Sequence, residues 1–343
     1  MTLPGFTERS RRRPRLTPPI ADARRAVRQS LARADLRDDA LVMLGVSGGA
    51  DSVALATSCA FEAPRMGVRA GAVIVDHGLQ PGSAQIAHNA AILARELGLD
   101  PVLVETVDVG ASGGPESAAR TARYAAFDRV RIATGAARVV LAHTRDDQAE
   151  TVLLGLTRGS GPTSLRGMAV DTGEFLRPFL GLSRETTAAV CADSELLVWD
   201  DPHNHDPAYT RVRIRHSVLP VLEDQLGPGI AKALARTAES LREDDDALNQ
   251  LAEEWAEELV TQDESGAVSL DVRSLASDPA ALRHRIIRLV AQAEFGVSLT
   301  RAHTLAVAEL ITGWRGQGPL DLPGIRVVRQ SGRLLFHPTT SST

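Results

Sequence analysis

LGVSGGADS, residues 44–52, is the stretch on which the reading of this chain turns. An apolar run of strand length, Leu41 to Val46, ends at Ser47-Gly48-Gly49, and a helical pattern resumes at Ala50. Two glycines let the backbone turn tightly and present its N–H groups. The helix that follows points its positive end at the same spot. Strand, glycine turn and helix together predict a phosphate or pyrophosphate site built from Ser47, Gly48, Gly49, Ala50, Asp51 and Ser52. Asp51 would repel a bare phosphate, so its presence points to Mg²⁺ held between carboxylate and phosphate oxygens.

The pattern continues outward from the loop. Strands are predicted at 70–75, 102–107 and 139–142, and helices at 20–35, 50–60, 83–98, 116–134, 147–157 and 183–194. Nearly continuous apolar strands alternating with helices predict an α/β fold, an open parallel sheet with helices on both faces. No GxGxxG follows the first strand, which disfavours a dinucleotide fold. From residue 230 the character changes to helix with a strongly acidic face: nine carboxylates lie between Glu239 and Glu258 against Arg242. Helices are predicted at 279–295 and 299–312, and a hairpin at 325–336 turning at Ser331-Gly332. The expected organisation is a disordered basic leader over 1–19, a catalytic domain over 20–227, and a small, mainly helical substrate-binding domain over 228–343.

Composition narrows the function. The 343 residues carry a net charge of −5, yet residues 1–35 hold nine arginines against three carboxylates, a basic end that reads either as a local guide for RNA phosphates or as a solvated, flexible leader. Lys232 is the only lysine, and no lysine adjoins a Gly-rich turn, so a Walker A nucleotide site is excluded. The two cysteines, Cys59 and Cys191, form no CxxC pair and no zinc spacing, which points to inert buried thiols and away from redox or iron–sulfur chemistry. His203 and His205, near Asp201, form an HxH pair with no third strong ligand nearby and predict no zinc. Neither a signal peptide nor a membrane span is read from the sequence, and a cytoplasmic location is expected.

Further candidates follow the strands and helices. Asp147 and Glu150 lie three apart at the start of a helix, on one face. Arg120 and Arg123 are likewise three apart, and His77 and His143 each end a strand beside the loop. Arg211, Arg213 and Arg215 alternate, so an extended strand would put all three on one side as RNA contacts.

SGGxDS directly after an apolar strand resembles the signature of the PP-loop ATPases, which adenylate an oxygen, release pyrophosphate and let a nucleophile displace AMP. Within that superfamily the chain resembles the short-form tRNA(Ile)-lysidine synthetases. VDHGL (75–79), AARTARY (118–124), AHTRDDQAET (142–151), RGSGPTSLRGM (158–168), Arg177-Pro178, DPHN (201–204) and YTRVRIR (209–215) match that family's motifs in order, over about residues 41–220. Gln80, Thr144, Ser164 and Val212 depart from it, standing where Arg, His, Gly and Asn are usual. The resemblance implies ATP-dependent modification of the wobble cytidine of a CAU-anticodon tRNA(Ile) with L-lysine. It implies Asp51, Arg123, Asp147 and Glu150 as catalytic, with Asp147 and Glu150 gripping lysine. It further implies Val75, His77, Arg120 and His143 beside the loop at ATP, Arg177, Arg211, Arg213 and Arg215 at the tRNA, and a homodimer as one possible assembly. Thiolation enzymes and glutamine-dependent synthetases of the same superfamily are disfavoured, because neither paired cysteines nor a glutaminase nucleophile is present. A nucleotide-binding regulator without turnover is the alternative of another class.

Overall fold

The computed structural model describes residues 15–110, 115–159, 161–262 and 267–339, so most of the basic leader lies outside the described residues. The first unit, Met1–Ser240, is organised by five parallel strands. These are β1 (Leu41–Gly45), β2 (Arg69–Asp76), β3 (Val102–Thr106), β4 (Arg138–Val140) and β5 (Phe175–Leu176), in the order β3-β2-β1-β4-β5. The chain leaves β1 for β2 and β3 on one side and returns to β4 and β5 on the other. The crevice at the carboxyl ends of β1 and β4 is therefore the topological switch point, where ligands bind in open α/β sheets.

Alternation along β1 divides the core. Val42 and Leu44 face a cluster with helices α1 (Pro18–Arg33), α2 (Ala50–Glu62), α3 (Ser83–Glu96) and α7 (Arg184–Asp193). Leu41 and Met43 face Phe127 and Val130 of α4 (Pro115–Thr134) on the opposite side. Met43 and Leu44 are completely buried. Each such side chain contributes roughly 1.5–3 kcal/mol through burial, which anchors the strand that carries the loop. Helix α5 (Arg145–Arg158) follows β4, and the short α6 (Pro162–Leu165) packs on it so closely that a Cβ on Gly155 would lie 2.6 Å from the Ser164 carbonyl oxygen.

The arginine-rich segment departs from the extended reading. Residues Thr210–Arg213 form helix α8, and Ile214–Val218 continue as a π-turn into α9 (Leu219–Leu226). Arg211, Arg213 and Arg215 alternate as strand residues do, and the buried Val212 and Ile214 between them keep the same two-residue spacing, so a helix of one turn followed by a π-turn leaves no period to read. On this helical backbone the three arginines diverge.

Helix α10 (Ile230–Leu259) starts directly after Gly229, and the division between the two units falls within it. The second unit, Leu241–Thr343, holds an antiparallel sheet ordered β6-β7-β10-β9-β8. Its strands are Val260–Gln262 (β6), Val268–Asp271 (β7), Leu320–Leu322 (β8), Ile325–Gln330 (β9) and Arg333–Pro338 (β10). The expected hairpin forms β9 and β10, with Ser331 and Gly332 both at positive φ as a two-residue turn requires. Helices α11 (Val272–Ser277), α12 (Ala280–Phe295) and α13 (Arg301–Thr312) complete the unit. Ile286, Ile287, Val307 and Ile311 pack with Leu270, Ile325, Leu334 and Phe336 of the sheet. Strands β6, β7 and β8 were not read from the sequence, because three or four residues are too few to display a period.

Candidate active site

The loop forms as its sequence demands. Gly48 sits at φ +87°, a left-handed conformation glycine adopts without cost, and Gly49 caps α2 in extended geometry. The Ser52 hydroxyl ties the turn shut, donating to the Gly49 carbonyl (2.9 Å) and accepting from the Ser47 amide (3.1 Å). The amides of Ala50, Asp51 and Ser52 belong to the first helical turn, which has no intrahelical acceptors to offer them. The outer side of the loop is held by Trp199, whose amide donates to the Gly48 carbonyl at 2.9 Å.

Asp51, at the second position of α2, faces α7. It accepts a short hydrogen bond from the Thr187 hydroxyl, and its Oδ2 lies 3.7 Å from Nε of Arg184. Burial pushes its carboxyl up to about 6, against the Thr187 hydrogen bond, while the nearby Asp147 adds to the rise. Among the described residues no group of three or more His, Cys, Asp or Glu side chains stands ready to enclose a metal.

Thr144 caps α5 in a reciprocal box: its amide (2.7 Å) and hydroxyl (2.8 Å) both donate to Oδ2 of Asp147. The position where the resembling family carries histidine thus serves as the N-cap. The other oxygen of Asp147 takes Nη2 of Arg184 at 2.7 Å, and the same nitrogen reaches Oε1 of Glu150 at 3.3 Å. Arg215 also clamps Glu150, with Nε 2.8 Å from Oε1 and Nη2 3.2 Å from Oε2. Glu150 is entirely buried. Burial pulls the Asp147 carboxyl upward, but Arg184, His143 and the Thr144 hydrogen bonds outweigh it and hold the group below the usual carboxylate range. Asp51, Asp147 and Glu150 thus share one cluster with two guanidinium groups.

A second group lies beside the loop. Arg123 donates from Nε to Nε2 of His77 at 3.2 Å, which leaves the proton of that ring on Nδ1. Arg120 donates to the Tyr124 hydroxyl at 3.1 Å. Burial, with the neighbouring arginines adding to it, lowers His77 to about 4 and His143 to about 3, so both rings are neutral at physiological pH. The Nδ1 atoms of both histidines are buried with no hydrogen-bond partner among the described residues, the mark of a site that expects a polar ligand.

The candidate tRNA contacts separate. Arg177 is buried and donates to the Ala169 carbonyl (3.0 Å), so it braces the 169–177 loop and is not presented to an RNA surface. Arg213 is bound to its own loop through the Pro207 and Ala208 carbonyls at 2.6 and 2.9 Å. Arg215 belongs to the carboxylate cluster. Arg211 lies on α8, close enough to Arg123 and His143 for its charge to act on both. Gln80 donates to Asp201 at 3.1 Å, joining the loop after β2 to the segment after Trp199. Val212, standing where the family carries asparagine, is buried and makes no polar contact.

Arg184 and Thr187 went unread in the sequence. Arg184 follows directly on the N-cap Ser183, where the helix dipole disfavours a cation, and that misplaced charge is the signal by which it was findable.

Fold and loop together define an ATP-binding α/β protein of the PP-loop class, and residues 21–222 match the model of the PP-loop domain. Residues 270–335 match the model described as the TilS substrate binding domain. The chain is 69% identical to the tRNA(Ile)-lysidine synthase of Leifsonia xyli subsp. xyli, over 89% of this chain and 92% of that protein. It is 52% identical to the tRNA(Ile)-lysidine synthase of Thermobifida fusca, over 90% of this chain and 94% of that protein. Among solved structures, the U34-tRNA thiolase NcsA from Methanococcus maripaludis with its [4Fe-4S] cluster shares the fold. Its TM-score is 0.56 at 20% identity, over 66% of this chain and 80% of that one. The chain belongs to the tRNA(Ile)-lysidine synthase family.

Proposed function

We propose that this chain joins L-lysine to the wobble cytidine of a CAU-anticodon tRNA(Ile) in two steps at the carboxyl end of its parallel sheet. The C2 oxygen of the cytidine attacks the α-phosphorus of ATP and pyrophosphate leaves. The ε-amine of lysine then attacks C2 and expels AMP. Adenylation is what makes a urea-like oxygen able to leave. One observation carries the reading: the loop acid Asp51 shares a single charged cluster with Asp147 and Glu150, so phosphate chemistry and amine binding fall within one site.

In this reading the amides of Ala50, Asp51 and Ser52 take the ATP phosphates. Arg123 and Arg120 face the charge that develops on the leaving pyrophosphate, with His77, His143 and Val75 lining the nucleotide side. One carboxylate with phosphates and waters is an ordinary Mg²⁺ environment, and Asp51, ionised above pH about 6, fits it. When bound, Mg²⁺ supplies charge neutralisation at the triphosphate. Asp147 and Glu150 hold lysine and help its ε-amine shed a proton, since with a reference pKa of about 10.4 an amine is almost wholly protonated at pH 7. Arg211 is the residue of the expected RNA set that lies beside this group, and a contact from it to the anticodon backbone belongs to the proposal. A cytoplasmic location fits a tRNA substrate, and among the described residues no helix is long and apolar enough to cross a membrane.

Pyrophosphate release tests the reading. It is expected to require ATP, Mg²⁺ and the CAU tRNA, and AMP release is expected to require L-lysine as well. AMP release supported by ammonia or a sulfur donor in place of lysine would refute it, as would nucleotide binding without turnover.

A further inference from the structure

The lysine-holding carboxylates are already occupied. A single nitrogen, Nη2 of Arg184, bridges Asp147 (2.7 Å) and Glu150 (3.3 Å), which is the contact a substrate ammonium would make between the same two groups. Arg215 grips Glu150 with two separate nitrogens, at 2.8 and 3.2 Å, and its Nη2 reaches Asp147 only at 3.5 Å. The cluster therefore has one firmly forked cation and one held through one atom. Nε of Arg184 is buried without a hydrogen-bond partner among the described residues, and it lies 3.7 Å from Asp51 at the phosphate loop.

We propose that Arg184 is an internal stand-in for the lysine ammonium, and that lysine displaces its guanidinium toward the phosphate loop, coupling amino-acid binding to nucleotide binding. The inference rests on the reading of Asp147 and Glu150 as the lysine carboxylates. Three carboxylates and two guanidinium groups leave the cluster short of one positive charge, so it accepts an ammonium. Once the ammonium sits between Asp147 and Glu150, the displaced guanidinium needs a new anion. The nearest are Asp51 and whatever phosphate lies on the loop beside it. The backbone of α7 has no need to move, because the Arg184 amide is held by Asp146 (2.9 Å), Ser183 caps the helix and Thr187 is tied to Asp51. Only the side chain swings. With a triphosphate bound, that swing adds a favourable contact, so lysine tightens nucleotide binding and, by linkage, nucleotide tightens lysine binding by the same factor.

The test is calorimetric titration of L-lysine into the wild-type protein and into Arg184→Gln, each without nucleotide and with a non-hydrolysable ATP analogue plus Mg²⁺. In the wild type the analogue is expected to tighten lysine binding by at least about 5-fold. In Arg184→Gln, lysine without nucleotide is expected to bind several-fold tighter than in the wild type, because its competitor is gone, and the analogue no longer changes that affinity. Arg184→Lys, with its charge on a shorter stem, falls between the two and carries the test should the glutamine variant not fold. Equal or weaker lysine binding in the nucleotide-free variants, or coupling that survives them, overturns the inference. A wild-type protein that binds no lysine under either condition refutes the assignment of Asp147 and Glu150 instead, and the inference falls with it.

Discussion

Asparagine in place of Asp51 separates what this residue does for function from what it does to stability. The carboxyl is raised from an ordinary 3.8 to about 6, chiefly by burial. The unfolded chain therefore ionises more readily than the folded one. Below pH 3.8 both states are protonated and no penalty exists; as pH rises through 6 the folded protein is forced to ionise a group its surroundings disfavour. The gap between 3.8 and about 6 corresponds to a cost of about 3 kcal/mol at pH 7.5. Asparagine avoids the cost and still accepts the Thr187 hydroxyl. Asp51→Asn is therefore expected to be more stable than the wild type by roughly 1–3 kcal/mol at pH 7.5, while pyrophosphate release falls by at least about 100-fold for want of the acid that recruits Mg²⁺. Urea unfolding across pH reads the effect: the gain should shrink to about half at pH 5 and disappear as pH approaches 3.8. A destabilised variant, or a gain independent of pH, would refute the argument.

Three other outcomes follow from the same geometry. Glu150→Ala leaves Arg215 and Arg184 facing a buried void and is expected to cost about 3–5 kcal/mol in urea unfolding, much of it recovered in the double variant with Arg215→Met; no loss in the single variant would contradict the buried clamp. Gly155→Ala places a Cβ 2.6 Å from the Ser164 carbonyl oxygen and is expected to cost about 1–3 kcal/mol in the same assay, so a neutral result would mean that α5 and α6 are not so close. His77 and His143 titrate near 4 and 3 in the folded protein, below their unfolded value of about 6.5, so the unfolded chain takes up protons first and stability falls as pH drops from 6.5 toward 4. Substituting both by glutamine should flatten that fall in a pH series of thermal melts, and an unchanged slope would place the titration elsewhere.

The sheet and its loop were legible because their signals are local: apolar strands, two glycines and a helix start fix the turn whatever surrounds it. Asp51 was legible from the loop itself, and Asp147 and Glu150 from the family motif around them, since their spacing alone equally suits a charge pair at a helix start. Their shared cluster was not, because it is closed by Arg184 and Arg215, which lie 37 and 68 positions beyond Asp147. The alternating charges at 211, 213 and 215 suggest a strand that presents Arg215 to RNA, whereas the backbone there is helical and turns the residue toward Glu150. Arg177, placed at the tRNA by the family resemblance alone, is buried, because its loop folds over it. In the C-terminal unit the helices and one hairpin were visible from periodicity, while the short strands that complete its sheet exist only through pairing.

Mass analysis of the nucleosides of a CAU-anticodon tRNA(Ile), incubated with this protein, ATP, Mg²⁺ and L-lysine, bears most directly on the account. It should yield cytidine joined to lysine with loss of water, in an amount matching the AMP released, and at an initial rate at least about 100-fold lower with Asp51→Asn. Unmodified cytidine alongside stoichiometric AMP, or undiminished product from the Asp51 variant, would contradict it.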